Sequence, residues 1–326
     1  MKGLNKMSEK KCEQHITSIG GQAVMEGVMM RGPLKTAVAV RKPDGEIVTK
    51  IDENGTKKKN SILKLPIIRG CINFFESMVI GIKALMYSAE FVDLEEEGES
   101  ESKFEKWLED KLGDKIKDVV IYFSLIISLF LSVGLFILLP TVITRAVEAL
   151  FDSVTFVGTK TFTSLCEGVI RMLIFLGYLA LVSQMKDIKR VFEYHGAEHK
   201  TIACYEANEE LTVENVRKYT RLHPRCGTSF LLFVMVVSII IFSLLPRTSI
   251  IPRILMRLAL LPVVAGISYE IIKLAGRSKS KCVSWLTKPG LWLQKLTTRE
   301  PDDSQLEVAI ESIKAVIPED KNDDKW

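Results

Sequence analysis

The chain has 326 residues, 47% of them hydrophobic, and its 44 basic against 40 acidic side chains leave a formal net charge of +4. That length has room for two soluble domains, but the apolar residues are gathered into a few long runs, the pattern of a membrane protein. With no nucleic-acid motif and no interleaved basic and aromatic surface, nucleic acid is excluded as a partner, and the lipid bilayer and other membrane proteins are expected instead.

Residues 1–60 read as a small, cytosolic, β-rich unit. The charged N-terminus lacks an apolar core segment, so no cleavable signal peptide is expected. From Ser18 to Pro33 the glycines at 20, 21, 27 and 32 follow no phosphate-loop spacing. They suggest a kinked strand that brings backbones close and presents Gln22, Glu26 and Arg31 to a site, with a Glu26–Arg31 pair as the plainer outcome. Thr36–Arg41 and Glu46–Ile51 flank Lys42-Pro-Asp-Gly45 and read as a hairpin. Lys57–Lys59 would form a basic turn.

Residues 61–92 carry a broad apolar stripe interrupted by Arg69, Asn73, Glu76 and Lys83, which fits an amphipathic or interfacial helix better than a span. Residues 93–115 read as an acidic linker and a short helix from Phe104.

Residues 116–276 hold four apolar segments near the bilayer length: Val119–Leu139, Thr163–Val182, Thr228–Leu245 and Ile254–Ala275. The connections 140–162 and 246–253 carry few basic residues. The segment 183–227 carries Lys186, Lys189, Arg190, Lys200, Arg217, Lys218, Arg221 and Arg225. The positive-inside rule then predicts a multi-pass cell-membrane protein with both termini and the 183–227 loop in the cytosol. In residues 277–326, Trp285 and Trp292 suit the headgroup level. Asp302 or Asp303 should cap an amphipathic helix that Pro318 ends and that docks on the N-terminal unit.

The 183–227 segment contains three of the four histidines: His195, His199 and His223, followed by Cys226. A helix over 192–206 sets His195 and His199 one turn apart on one face, able to share a divalent ion. His195-Gly-Ala-Glu-His199 also has the order H-x-x-E-H, in which the glutamate is no ligand but takes a proton from a water acidified by the metal. Glu198 is thus the candidate general base. Candidates for a third ligand are His223, Cys226, Glu206 on the same helix face, and Glu270, a carboxylate late in the last apolar run that needs a partner or a cation. Zinc is the expected ion, since imidazole and thiolate suit it. The alternative is an ordinary hydrogen-bonded juxtamembrane loop. The six cysteines form no C-x-x-C pair, so no disulfide framework is expected.

Five stretches, Gly20–Pro33, Glu193–Lys200, His223–Thr228, Ser268–Glu270 and Gln294–Pro301, together resemble the YqhQ-like family of bacterial membrane proteins across nearly the whole chain. The resemblance implies a metal-dependent enzyme without implying a substrate. Carried over by position, its motif residues are Gln22, Glu26, Arg31, His195, Glu198, His199, His223, Arg225, Cys226 and Glu270. The expected fold is therefore mainly α: about four transmembrane helices, a β-rich N-terminal unit and a docked C-terminal helix. Two functions fit it. One is a metal-dependent hydrolase at the cytosolic face, with Arg31 or Arg225 holding an anionic group. The other is a non-catalytic interaction or biogenesis factor with a structural metal. Transport is weaker, because the spans show no internal repeat.

Overall fold

Two neighbouring strands decide the N-terminal unit. Val28, Met30, Ala37 and Ala39 pack into one core, while Met29, Val38 and Val40 pack into another. Residues of alternating parity point to opposite faces of a strand, so both faces of this sheet are covered. In the computed structural model, which describes residues 15–54, 65–91, 116–150, 160–245, 249–277 and 281–325, the sheet is a four-stranded antiparallel meander. Its strands are β1 (Gly20–Val24), β2 (Gly27–Arg31), β3 (Lys35–Arg41) and β4 (Ile47–Glu53). The β3–β4 hairpin closes where expected, with Gly45 at φ 90° and its N–H donating to the Lys42 carbonyl at 2.9 Å. The single kinked strand expected over the glycine-rich run is instead the hairpin β1–β2. Its turn at Met25-Glu26 holds Glu26 at φ 48°, a left-handed conformation a tight turn can impose on a non-glycine residue.

One face of the sheet meets α1 (Ile68–Ala89) through Ile80, Ala84 and Tyr87. The other meets α5 (Lys186–Glu206) and α10 (Asp303–Lys314) through Tyr194, Ala197, Leu306 and Ile310. Asp302 caps α10 in a full capping box: its side chain accepts from the Gln305 N–H, and the Gln305 side chain accepts from the Asp302 N–H. The C-terminal helix docks on the sheet as its apolar stripe requires. Within the 183–227 connection the helix expected over 192–206 starts earlier, as α5 from Lys186, and a short α6 (Val213–Arg217) follows it.

The apolar part is a bundle of α2 (Ile116–Val133), α3 (Leu139–Leu150), α4 (Lys160–Val182), α7 (Gly227–Ser243), α8 (Ile250–Arg277) and α9 (Lys281–Thr297). Among the described residues, three helical runs are long and apolar enough to cross a membrane: Ile126–Leu150, Thr163–Val182 and Ile251–Leu274. The first expected span does not stop at Pro140. A π-helical turn over Gly134–Leu138 carries the chain from α2 into α3. Proline cannot donate to the carbonyl four residues back; that Phe136 carbonyl accepts instead from Arg171 Nε at 2.9 Å. The third expected span is the shorter α7, of 17 residues. At 1.5 Å per residue that is about 25 Å, somewhat under the hydrocarbon thickness.

Within the bundle, Glu167 is buried and accepts from Arg257 at 2.5 Å, Arg171 at 3.1 Å and the Thr141 hydroxyl at 2.9 Å. α1 packs across α8 at a glycine contact: a Cβ on Gly70 would stand 3.0 Å from the Gly266 Cα. The acidic linker and short helix expected at 93–115 and the basic turn at 57–59 lie outside the described residues, as does the side chain of Trp285. Trp292 is exposed.

Candidate metal centre

The helix expected around the histidines runs as α5 and buries Glu198 and His199, while His195 keeps a partly exposed edge. The glycine between them has a geometric reason. A Cβ on Gly196 would run into the Arg299 carbonyl, because the segment after α9 crosses α5 there, and the Arg299 N–H donates to the Phe192 carbonyl at 2.8 Å. Gly196→Ala should therefore destabilise the protein by at least about 1–3 kcal/mol, the range for overpacking against a fixed neighbour. Thermal unfolding in detergent checks this; an unchanged midpoint would show that the crossing is looser than described.

Two backbone carbonyls, one at the end of α9 and one between α6 and α7, orient the imidazoles. His195 Nδ1 donates to the Thr297 carbonyl at 2.8 Å, and His199 Nδ1 donates to the Arg221 carbonyl at 2.6 Å. A carbonyl can only accept, so each bond fixes the proton on Nδ1 and turns Nε2 inward. Metal-ligating histidines are commonly oriented this way. His195 Nε2 lies 3.2 Å from Cys226 Sγ. His199 Nε2 and Glu198 Oε2 are buried without a hydrogen-bond partner. Such orphans are costly unless a ligand or water completes them. Cys226 is the N-cap of α7, where the Thr228 N–H donates to its sulfur at 3.3 Å. One ligand atom each from His195, His199 and Cys226 lies within 4.8 Å of the others, a spacing that fits a shared divalent ion.

The electrostatics agree with the geometry. Burial raises the Cys226 thiol, but His195 and His199 outweigh it and hold the thiol well below its usual value. A thiolate is also favoured at a helix N-terminus. Burial pulls the His195 imidazole down, but the Cys226 sulfur reverses this and pushes it up to about 9. Burial lifts the Glu198 carboxyl above the ordinary carboxylate range, with both imidazoles and the Gly21 N–H partly offsetting it.

These groups open onto a cavity of about 400 Å³ whose far wall is the glycine-rich β1. A Cβ on Gly21 would stand 2.9 Å from Glu198 Cγ and 2.6 Å from the Met29 carbonyl, so glycine makes the room for the carboxylate. Gln22, His223 and Arg225 also line this cavity.

His223 stands beside the cluster rather than within it. Its ring centroid is 5.7 Å from that of His199, and its Nε2 lies 3.5 Å from Glu206 Oε2. Burial holds its imidazole below the usual value despite that carboxylate. Glu206 is engaged by His223, by Arg225 and by the Thr17 N–H at 2.9 Å. Arg225 also donates to the Thr17 carbonyl at 2.5 Å. Glu26 accepts from Arg190 and, at 3.2 Å, from the Tyr194 hydroxyl. Arg31 reaches Glu76 at 3.4 Å on α1. Glu270 is bound by Arg69, with Nε donating at 2.7 Å, at the crossing of α1 and α8. The structure thus gathers His195, Glu198, His199, Cys226, His223 and Arg225 at one cavity, turns the Gln22 side chain toward Gly81 on α1, and seats Glu26, Arg31 and Glu270 in ion pairs elsewhere.

Gln294 is a site residue that sequence reasoning did not single out. It is fully buried; its Oε1 accepts from the His223 N–H at 2.8 Å and its Nε2 donates to the His223 carbonyl at 2.7 Å. That pair fixes the turn leading to Cys226. Its polar neighbourhood over Gln294–Pro301 was the available signal. The orienting carbonyls of Thr297 and Arg221 leave none, since every residue has a carbonyl.

The family described as "Protein of unknown function (DUF1385)" matches residues 65–319. The chain is 38% identical over 300 residues to "Uncharacterized protein YqhQ" of Bacillus subtilis (strain 168), covering 91% of this chain and 92% of that one. No solved structure matches.

Proposed function

The chain belongs to this YqhQ-like family, and we propose that it is a multi-pass membrane protein holding one divalent metal ion, zinc, at its cytosolic face for a hydrolytic reaction. The convergence of His195 Nε2, His199 Nε2 and Cys226 Sγ carries this reading. Two imidazoles and a thiolate select zinc over magnesium or calcium. Three protein ligands leave a position open, as catalytic sites do, whereas structural zinc is closed by four. His223, the nearest fourth candidate, is turned to Glu206 instead. A bound ion would supply Lewis acidity and lower the pKa of a water. Glu198 is the group that takes the proton, its free Oε2 buried in the cavity wall. The Gly21 N–H, across the cavity, donates to the Glu198 carboxylate and holds it in place.

Cobalt loading tests the ligand set. The cobalt-substituted protein should show a thiolate-to-metal charge-transfer band that Cys226→Ser abolishes. A cobalt protein without that band would remove Cys226 from the set.

A second reading is favoured by the burial of His199 and Cys226: a structural ion that pins α7 to α5, in a protein that works by binding another membrane protein.

For topology, four crossings are proposed: the continuous α2–α3 run, α4, α7 and α8, with both termini and the histidine region cytosolic. The basic residues between α4 and α7 support this orientation. A cysteine placed at the exposed Lys218 should resist membrane-impermeant reagents in intact cells and react after permeabilisation. Labelling from outside would reverse the orientation.

A further inference from the structure

A second cavity, of about 380 Å³, lies on the other side of β1 and shares Gly20, Gly21 and Gln22 with the metal-centre cavity. Its remaining wall comes from β2, α1 and α8, and it presents Arg31, Asn73, Ser77 and Tyr269. Asn73 Nδ2 donates to the Tyr269 hydroxyl at 2.9 Å, which ties α1 to α8 at the cavity floor. The one cation in the lining, Arg31, is about a third exposed and is held only by long contacts, 3.4 Å to Glu76 and 3.5 Å to Ser77. An anion that engaged the guanidinium in two short hydrogen bonds would outcompete them.

The helix that closes this cavity also says where its ligand comes from. On α1, Asn73, Ser77, Ile80 and Ala84 form one face, toward the cavity and the sheet. Phe75, Met78, Val79, Ile82 and Met86 form the opposite face and are all exposed. At 100° per residue the two sets lie half a turn apart, the division of a helix lying in a membrane surface. The same helix crosses α8, one of the runs long enough to span. The cavity is then about one helix diameter, roughly 10 Å, from the acyl chains.

We propose that this cavity binds the anionic headgroup of a membrane phospholipid through Arg31, with Asn73, Ser77 and Tyr269 as its polar floor.

The test uses the full chain purified in a nonionic detergent, with the thermal-unfolding midpoint as readout. Short-chain phosphatidylglycerol should raise the midpoint saturably, while phosphatidylcholine of the same chain length should not. Arg31→Gln should weaken the apparent affinity about tenfold or more, the worth of one charged hydrogen bond, and Arg31→Lys should retain part of it. Equal shifts with both lipids, or an unchanged response in Arg31→Gln, would overturn the proposal. An equal shift with inorganic phosphate would overturn the lipid source in favour of a soluble phosphate compound. Metal content, measured on the same samples, separates the two claims. Metal bound without a phosphatidylglycerol response refutes the lipid site alone. An Arg31-dependent response in a wild type that holds no metal refutes the metal centre and leaves the headgroup site standing.

Discussion

Glu198→Gln is expected to leave the metal bound and to remove the function. The substitution keeps the side chain's shape and an acceptor oxygen for the Gly21 N–H, and Glu198 is not among the converging ligands. What it removes is the capacity to take a proton. General-base catalysis contributes about 10²–10⁴-fold, so an enzyme of this kind would fall to a level a cell cannot use. The measurement is complementation of a strain lacking the gene, alongside metal content of the purified variant. If Glu198→Gln complements fully while His199→Ala does not, the ion is structural and the enzymatic reading falls.

The second large effect lies in the bundle. Glu167 sits between Arg171 and Arg257, and all three side chains are nearly buried. Assembling such a group costs desolvation that the pairing only just repays. Removing one partner leaves charge with nothing to balance it, at about 3–5 kcal/mol. In Glu167→Gln the two guanidiniums would face each other across a neutral amide, and the loss should take the upper part of that range. Thermal unfolding in detergent reads it. Adding Arg257→Met to Glu167→Gln should recover part of the loss, because Arg171 keeps the Phe136 carbonyl and loses its like-charged neighbour. A Glu167→Gln midpoint equal to wild type would show that the triad is hydrated rather than sealed.

Local chemistry was legible in the sequence where one stretch contains both partners. Lys42-Pro-Asp-Gly45 announces its turn, Asp302-Asp303 announces the start of α10, and His195 to His199 lie on one helix face as their spacing requires. Partnerships that depend on distant segments were not legible. Pro140 reads as a stop, but the chain continues as a helix through a π-helical turn, and the Phe136 carbonyl that Pro140 cannot serve accepts from Arg171, a helix away. Glu270 reads as a carboxylate in need of a cation, and the cation is Arg69 on α1. Among the candidates for third ligand, the sequence offered four. The structure sets Cys226 beside His195 and His199, turns His223 toward Glu206 and pairs Glu270 with Arg69.

The central claim is that His195, His199 and Cys226 hold an ion. Elemental analysis of the full chain, purified without chelator from cells supplied with zinc, iron and manganese, tests it most directly. One zinc per chain is expected in the wild type and in Glu198→Gln, and loss of most of it in His195→Ala, His199→Ala and Cys226→Ser. Folded wild-type protein carrying no stoichiometric ion, or His195→Ala and Cys226→Ser proteins retaining a full equivalent, would contradict it.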